Sequence, residues 1–100
     1  MALRNDHLGP MAKSMFSAAY RQLVAAVVEA RKAAGLTQRD LAKKLGRPQN
    51  YVGRVETEQR RLDFIELLHW LAACGADVEE EVIGLARTIG GKLPKGKSRR

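Results

Sequence analysis

The sequence predicts an all-α domain of five helices, and three observations predict it. Apolar residues make up 45% of the chain and aromatics only 5%, so the core must be built mainly from Leu, Val and Ala, and Ala and Leu lead the helix-propensity scale. Apolar positions recur at i, i+3, i+4 and i+7, the period of one buried helical face. Cap residues punctuate the chain. Thr37 with Asp40, Asp63 with Glu66 and Asp77 with Glu80 are placed to open helices, and Gly35, Gly46 and Gly75 to close them.

The elements follow in order. Residues 1–13 hold Gly9, Pro10 and no periodicity, and read as a loose, flexible arm. The folded domain spans 14–90. Its first helix runs from Ser14 or Ser17 to Ala34, burying Tyr20, Leu23, Val24, Val27 and Val28. Thr37 caps the second, with Leu36 and Leu41 in the staple positions that fix how the chain enters a helix. Leu41, Ala42 and Leu45 form its buried side. A third, short helix from Gln49 to about Thr57 buries Val52 and Val55. Asp63 caps the fourth, stapled by Leu62 and Leu67 and running to Cys74, with Phe64, Leu67, Leu68, Leu71 and Cys74 facing the core. Trp70 reads as a shield for the core or for an interface. The fifth opens at Asp77 and ends near Ile89, with Glu79, Glu80 and Glu81 in the first turn, where the helix dipole favours acids. Its Val78, Val82, Leu85 and Ile89 are spaced as a short coiled-coil seam, which either joins two copies or covers the domain's own core. Residues 91–100 form a disordered basic tail, GKLPKGKSRR.

Composition narrows the function. Lys and Arg number 18 against 11 acids, a formal charge of +7 on 100 residues, which points to a polyanionic partner, nucleic acid before anionic membrane. The lone Cys74 excludes an internal disulfide and suits a reducing cytosol, so a cytoplasmic protein is expected. No apolar run approaches the ~20 residues that cross a bilayer, and residues 1–13 lack the apolar stretch of a secretory leader. His7, His69 and Cys74 do not have metal-binding spacing. There is no nucleophile–base pair or glycine-rich phosphate loop, so neither an enzyme nor a cofactor is expected.

The informative stretch is Thr37 to Glu56, TQRDLAKKLGRPQNYVGRVE. Two short helices flank a turn at Gly46 and Arg47, and Leu41, Ala42, Leu45, Val52 and Val55 fall where a perpendicular pair would touch. Gly46 supplies the positive φ of a sharp turn, and small Ala42 lets the second helix approach closely. These are the features of a helix-turn-helix.

Over about Arg31 to Val82 the chain resembles the lambda-repressor-like, or Xre, family of bacterial and phage regulators. The resemblance rests on RKAAGLTQRDLAKKLG, RPQNYVGRVE and RRLDFIELL. It implies a five-helix domain that binds double-stranded operator DNA, usually as a homodimer. It also implies that Gln38 holds a DNA phosphate, that Gln49 and Asn50 begin the recognition helix, and that Arg31 and Glu56 form a structural ion pair. Arg54 lies one turn beyond Asn50 on the same face. Amide side chains can bond adenine N6 and N7, and Arg can grip guanine O6 and N7, so Gln49, Asn50 and Arg54 are the expected base contacts. Lys43, Lys44, Arg47, Arg60 and Arg61 suit the DNA backbone, or form a solvated basic face. Tyr51 reaches a phosphate or a thymine methyl, or packs on Leu45. Three residues depart from the family pattern. Pro48 stands where Ser or Thr often caps the recognition helix, Gly53 lies inside that helix, and Glu58 stands where Gly often ends it.

The expected function is a dimeric, sequence-specific repressor that occludes a promoter. Two alternatives share the fold. One is an antitoxin that also represses its own operon, its acidic stretch Asp77 to Glu81 meeting a basic toxin. The other is an adaptor between transcription proteins such as polymerase components. The tail either adds phosphate contacts without sequence preference or merely solubilises the chain.

Overall fold

The computed structural model describes residues 10–91, with side chains described from residue 18. The described residues form five α-helices and no strand: α1 Pro10–Ala33, α2 Gln38–Leu45, α3 Tyr51–Glu56, α4 Phe64–Ala73 and α5 Val78–Gly90. Helix α1 packs against α3, α4 and α5, α2 packs against α3 and α4, and α4 meets α5. The first helix begins at Pro10, inside the span 1–13 that its composition assigns to an arm. Proline is compatible with that start, since its missing N–H is one that a first helical turn leaves unpaired anyway. Residues 1–9 and 92–100, including nearly all of the basic tail, lie outside the described residues.

The start signals work as their residue types require. The Thr37 hydroxyl accepts from the Asp40 N–H at 3.0 Å, and the Asp40 carboxylate accepts from the Thr37 N–H at 3.1 Å. Asp63 and Glu66 form the same reciprocal box at 2.7 and 3.0 Å. The Asp77 carboxylate accepts from the Glu80 N–H at 3.1 Å. Gly46 adopts φ 65°, and the Arg47 N–H closes back on the Ala42 carbonyl at 2.9 Å. That six-residue closure folds the chain from α2 toward α3.

Val27, Leu41, Ala42, Tyr51, Val52, Val55, Leu67, Trp70 and Leu71 form the core. Trp70 is fully buried, and its indole N–H donates to the Val27 carbonyl at 3.0 Å. This corrects the predicted face of the fourth helix, because Phe64 is 59% exposed while Trp70 lies at the centre. The buried side is Leu67, Trp70, Leu71 and the half-buried Cys74. Phe64 continues that face one turn beyond the cover its neighbours provide. The seam of α5 also turns inward. Val78, Val82 and Leu85 are half-buried against the core and Ile89 is half-buried, while Ile83 and Ala86 are exposed on the outer side. One core thus takes up three of the four seam residues.

The third helix is shorter than predicted. Gln49 and Asn50 lie in the turn before it, and Asn50 is its N-cap residue but makes no side-chain capping bond. Beyond its other end, Glu58 has φ 64° and is the one non-glycine residue with positive φ among the described residues. Here the Gln59 N–H bonds the Arg54 carbonyl at 2.8 Å, the same closure as at Gly46. The hydrogen-bond pattern demands a left-handed residue, and a Cβ in that conformation costs ~1–2 kcal/mol. Glycine would remove the cost but loses more chain entropy on folding. Glu58→Gly is therefore expected to stabilise the domain by about 0.5–1 kcal/mol, raising Tm by roughly 2–6 °C in a thermal scan. An unchanged or lower Tm would show that the Glu58 side chain offsets its own strain.

Candidate nucleic-acid interface

The face formed by α2, the turn and α3 is anchored from beneath by one ion pair. Arg31, 9% exposed on α1, donates from Nε and Nη2 to both carboxylate oxygens of Glu56, at 2.7 and 3.1 Å. Its Nη1 donates to the Leu36 carbonyl at 2.7 Å. The hydrogen bond to Glu56 holds the guanidinium above its ordinary pKa. Gln38, at the start of α2, donates from Nε2 to Glu56 Oε1 at 2.7 Å. A single carboxylate thus ties α1, α2 and α3 together, as the ion pair expected for Arg31 and Glu56 requires.

Above this anchor, Gln38, Gln49, Asn50, Gly53, Arg54, Thr57 and Gln59 line one shallow concavity of about 520 Å³. All three expected base contacts are therefore brought together, with Gln38 beside them. Gln49, Asn50 and Arg54 are exposed, and their side chains make no hydrogen bond or ion pair among the described residues. Thr57 and Gln59 also line the hollow, although the sequence reading did not single them out. The Gln59 amide donates to the Thr57 hydroxyl at 3.0 Å, and that hydroxyl donates to the Gly53 carbonyl at 3.0 Å. No motif in the sequence signals them. They enter because the closure at Glu58 folds the chain back alongside α3.

The basic residues divide into three groups. Lys43 and Lys44 are exposed in the last turn of α2 and make no ion pair among the described residues. Arg47 and Arg60 converge on Glu66, at 2.8 and 2.7 Å, and lie 4.5 and 5.0 Å from the centre of the Tyr51 ring. Arg61 instead stacks on Tyr20 at 3.9 Å, and the Tyr20 hydroxyl accepts from the Leu62 N–H at 3.3 Å. Tyr51 is only 6% exposed, set against Trp70 and beneath the two guanidiniums, and burial pushes its phenol pKa up. Its ring is packed into the core beside Trp70 and under the two guanidiniums.

Glu66 is the hub that sequence reading missed, because its place in the capping box accounts for it by itself. The Arg60 guanidinium, with the Asp63 N–H and then Arg47, lowers its carboxyl pKa from 4.5 to about 2. The second hollow, between α1 and α5, has Glu29, Glu80 and Glu81 among its lining residues and no Lys or Arg. Its carboxylates would repel a polyanion. Among the described residues, no group of His, Cys, Asp or Glu could hold a metal ion, and no helix is long and apolar enough to cross a membrane.

Two short helices joined by a left-handed glycine, with an exposed polar face on the second, define the domain as a helix-turn-helix. The comparisons with known proteins agree. A family described as helix-turn-helix matches residues 27–80. Among solved structures, the chain is similar to an XRE-family like protein from Pseudomonas syringae pv. tomato str. DC3000, with 38% identity and a TM-score of 0.72, over 78% of this chain and 95% of that one. No curated protein matches. The chain belongs to the XRE-type helix-turn-helix family, which is a family of DNA-binding transcription regulators and not of enzymes.

Two measurements check this site. Glu56→Ala leaves a nearly buried guanidinium unpaired, at an expected cost of about 3–5 kcal/mol. A variant that melts like the parent would show that the pair does not anchor α3. In acid, Glu66 binds protons more weakly in the folded chain than in the unfolded one. Its contribution is present above about pH 4.5 and is lost as pH falls toward about 2. Glu66→Gln should therefore lower Tm at pH 6 and flatten the decline of Tm between those limits. Parallel acid profiles of the two proteins would remove Glu66 from that role.

Proposed function

We propose that the chain is a sequence-specific, cytoplasmic repressor that binds double-stranded DNA as a homodimer and occludes a promoter. The observation that carries this reading is the set Gln49, Asn50 and Arg54. Three side chains able to bond base edges line one hollow, and none is committed to the protein's own network. In the major groove, the amides suit adenine and Arg54 suits guanine. Lys43 and Lys44 supply phosphate contacts beside them. Arg47 and Arg60 reach phosphates as a Glu66-bound pair, with their geometry set in advance at the expense of part of their charge.

The dimer reading places α5 at the joint. Since Val78, Val82 and Leu85 face their own core, the contact with a second copy falls to Ile83, Ala86 and the uncovered flanks of Val82 and Ile89, which form one strip at helical spacing. A two-fold pair would present its recognition helices about one DNA turn, ~34 Å, apart.

Selection from randomised duplex DNA tests the proposal. The parent is expected to enrich an inverted repeat. Asn50→Ala and Arg54→Ala should each cost ~1–3 kcal/mol on that repeat and flatten preference at one base pair per half-site. Lys43→Ala should weaken all sequences alike and lower the salt slope by ~0.9 per lost phosphate contact. A parent that enriches no sequence would overturn the reading.

A further inference from the structure

We propose that Gln38 and Gly53 form a notch that reads the exocyclic amino group of a base, adenine N6 or cytosine N4, through the Gln38 carbonyl oxygen. The inference rests on the DNA-reading function proposed above and adds a specificity element to the same face. A phosphate contact, the role that resemblance implies for Gln38, requires an N–H donor. Here the Gln38 amide is oriented from below. A carboxylate can only accept, so the NH₂ end must face Glu56, which it meets at 2.7 Å, and Glu56 is itself held by two bonds from Arg31. That bond uses one of the two N–H groups, and an anion approaching the other would lie close to the Glu56 carboxylate. Oε1, a pure acceptor, makes no hydrogen bond among the described residues.

Gly53 is what gives that oxygen access. A Cβ built at Gly53 would lie 3.4 Å from Gln38 Oε1, and outside its own helix backbone and chain neighbours the other atom within 4 Å is the Gln38 amide carbon at 4.0 Å. That is ordinary contact distance, and Gly53 has no positive φ. The free protein therefore has no steric or conformational need for glycine there, although glycine inside a helix costs roughly 1 kcal/mol relative to alanine. What the missing side chain provides is space. Bare backbone lies beside an oriented acceptor in the same hollow as Asn50 and Arg54. An acceptor repels phosphate oxygens and the O6 and N7 of guanine. In the major groove, the donors that complement it are the amino groups of adenine and cytosine.

The test uses the full chain, thermal melting, and selection from randomised duplexes followed by titration on the enriched site. Gly53→Ala should melt at or above the parent temperature, yet lose about tenfold or more in affinity for that site and its preference at one base pair. Gln38→Ala should lose preference at the same base pair. A base analogue lacking the amino group at that position should weaken the parent about tenfold and leave Gln38→Ala binding unchanged. Gly53→Ala binding with the parent's affinity and preferences would overturn the notch, as would Gln38→Ala weakening every sequence alike, the signature of a phosphate contact. If the enriched site changes with Asn50→Ala and Arg54→Ala but not with these two, only the notch fails. If the parent enriches nothing, the DNA-reading function fails with it.

Discussion

The structure depends on a carboxylate that is almost out of water. Glu56 gives both of its oxygens to Arg31 and one of them also to Gln38, and the side chains of the ion pair are 7% and 11% exposed. Such a pair is tolerable only because its hydrogen-bonding capacity is filled on both sides, including the Arg31 bond to the Leu36 carbonyl. Its consequence is greatest for α3. A helix of six residues has no stability of its own in water. It exists because Val52 and Val55 are buried on one side and Glu56 is clamped at its end. The surface proposed to read DNA is therefore supported by an ion pair made with a different helix.

Net charge points to a polyanion, but most of it lies outside the described residues. Five of the seven net positive charges belong to Lys92, Lys95, Lys97, Arg99 and Arg100. Within the folded body, Glu56 answers Arg31, and Glu66 answers Arg47 and Arg60 together. What remains on α2 and α3 is a small unpaired set, Arg39, Lys43, Lys44 and Arg54, with Gln38, Gln49 and Asn50 among them. The recognition proposed there is a matter of donors and acceptors in position, with charge in a supporting part.

Much of the fold was legible because its signals are local. The boxes at Thr37 and Asp63 and the turn at Gly46 all concern residues a few positions apart, whereas Glu58 stood out only against the family pattern. The Arg31–Glu56 pair spans 25 residues and was reachable through resemblance alone. The errors share one cause, which is that periodicity gives a face but not its extent. It placed Phe64 inside because the apolar face runs through it, and it could not show that cover ends at Leu67. For α5 it left open whether the seam joins two copies or covers the domain's own core, and the core takes most of it. For the site, residue type marked Gln49, Asn50 and Arg54, whereas the commitment of Gln38 to Glu56 and the burial of Tyr51 arise only when separate helices meet.

The single tryptophan gives the molecule a further property. Trp70 is fully buried, bonded to the backbone of α1, and 6.3 Å from the ring of Tyr51 at the first position of α3. An indole sealed from solvent emits toward the blue, and a tyrosine this close transfers its excitation to it. If α3 lifted while the rest of the domain held, Tyr51 would leave the indole and the transfer would fall before the emission moved to the red. The protein thus carries an intrinsic optical gauge that separates the seating of α3 from the integrity of its core.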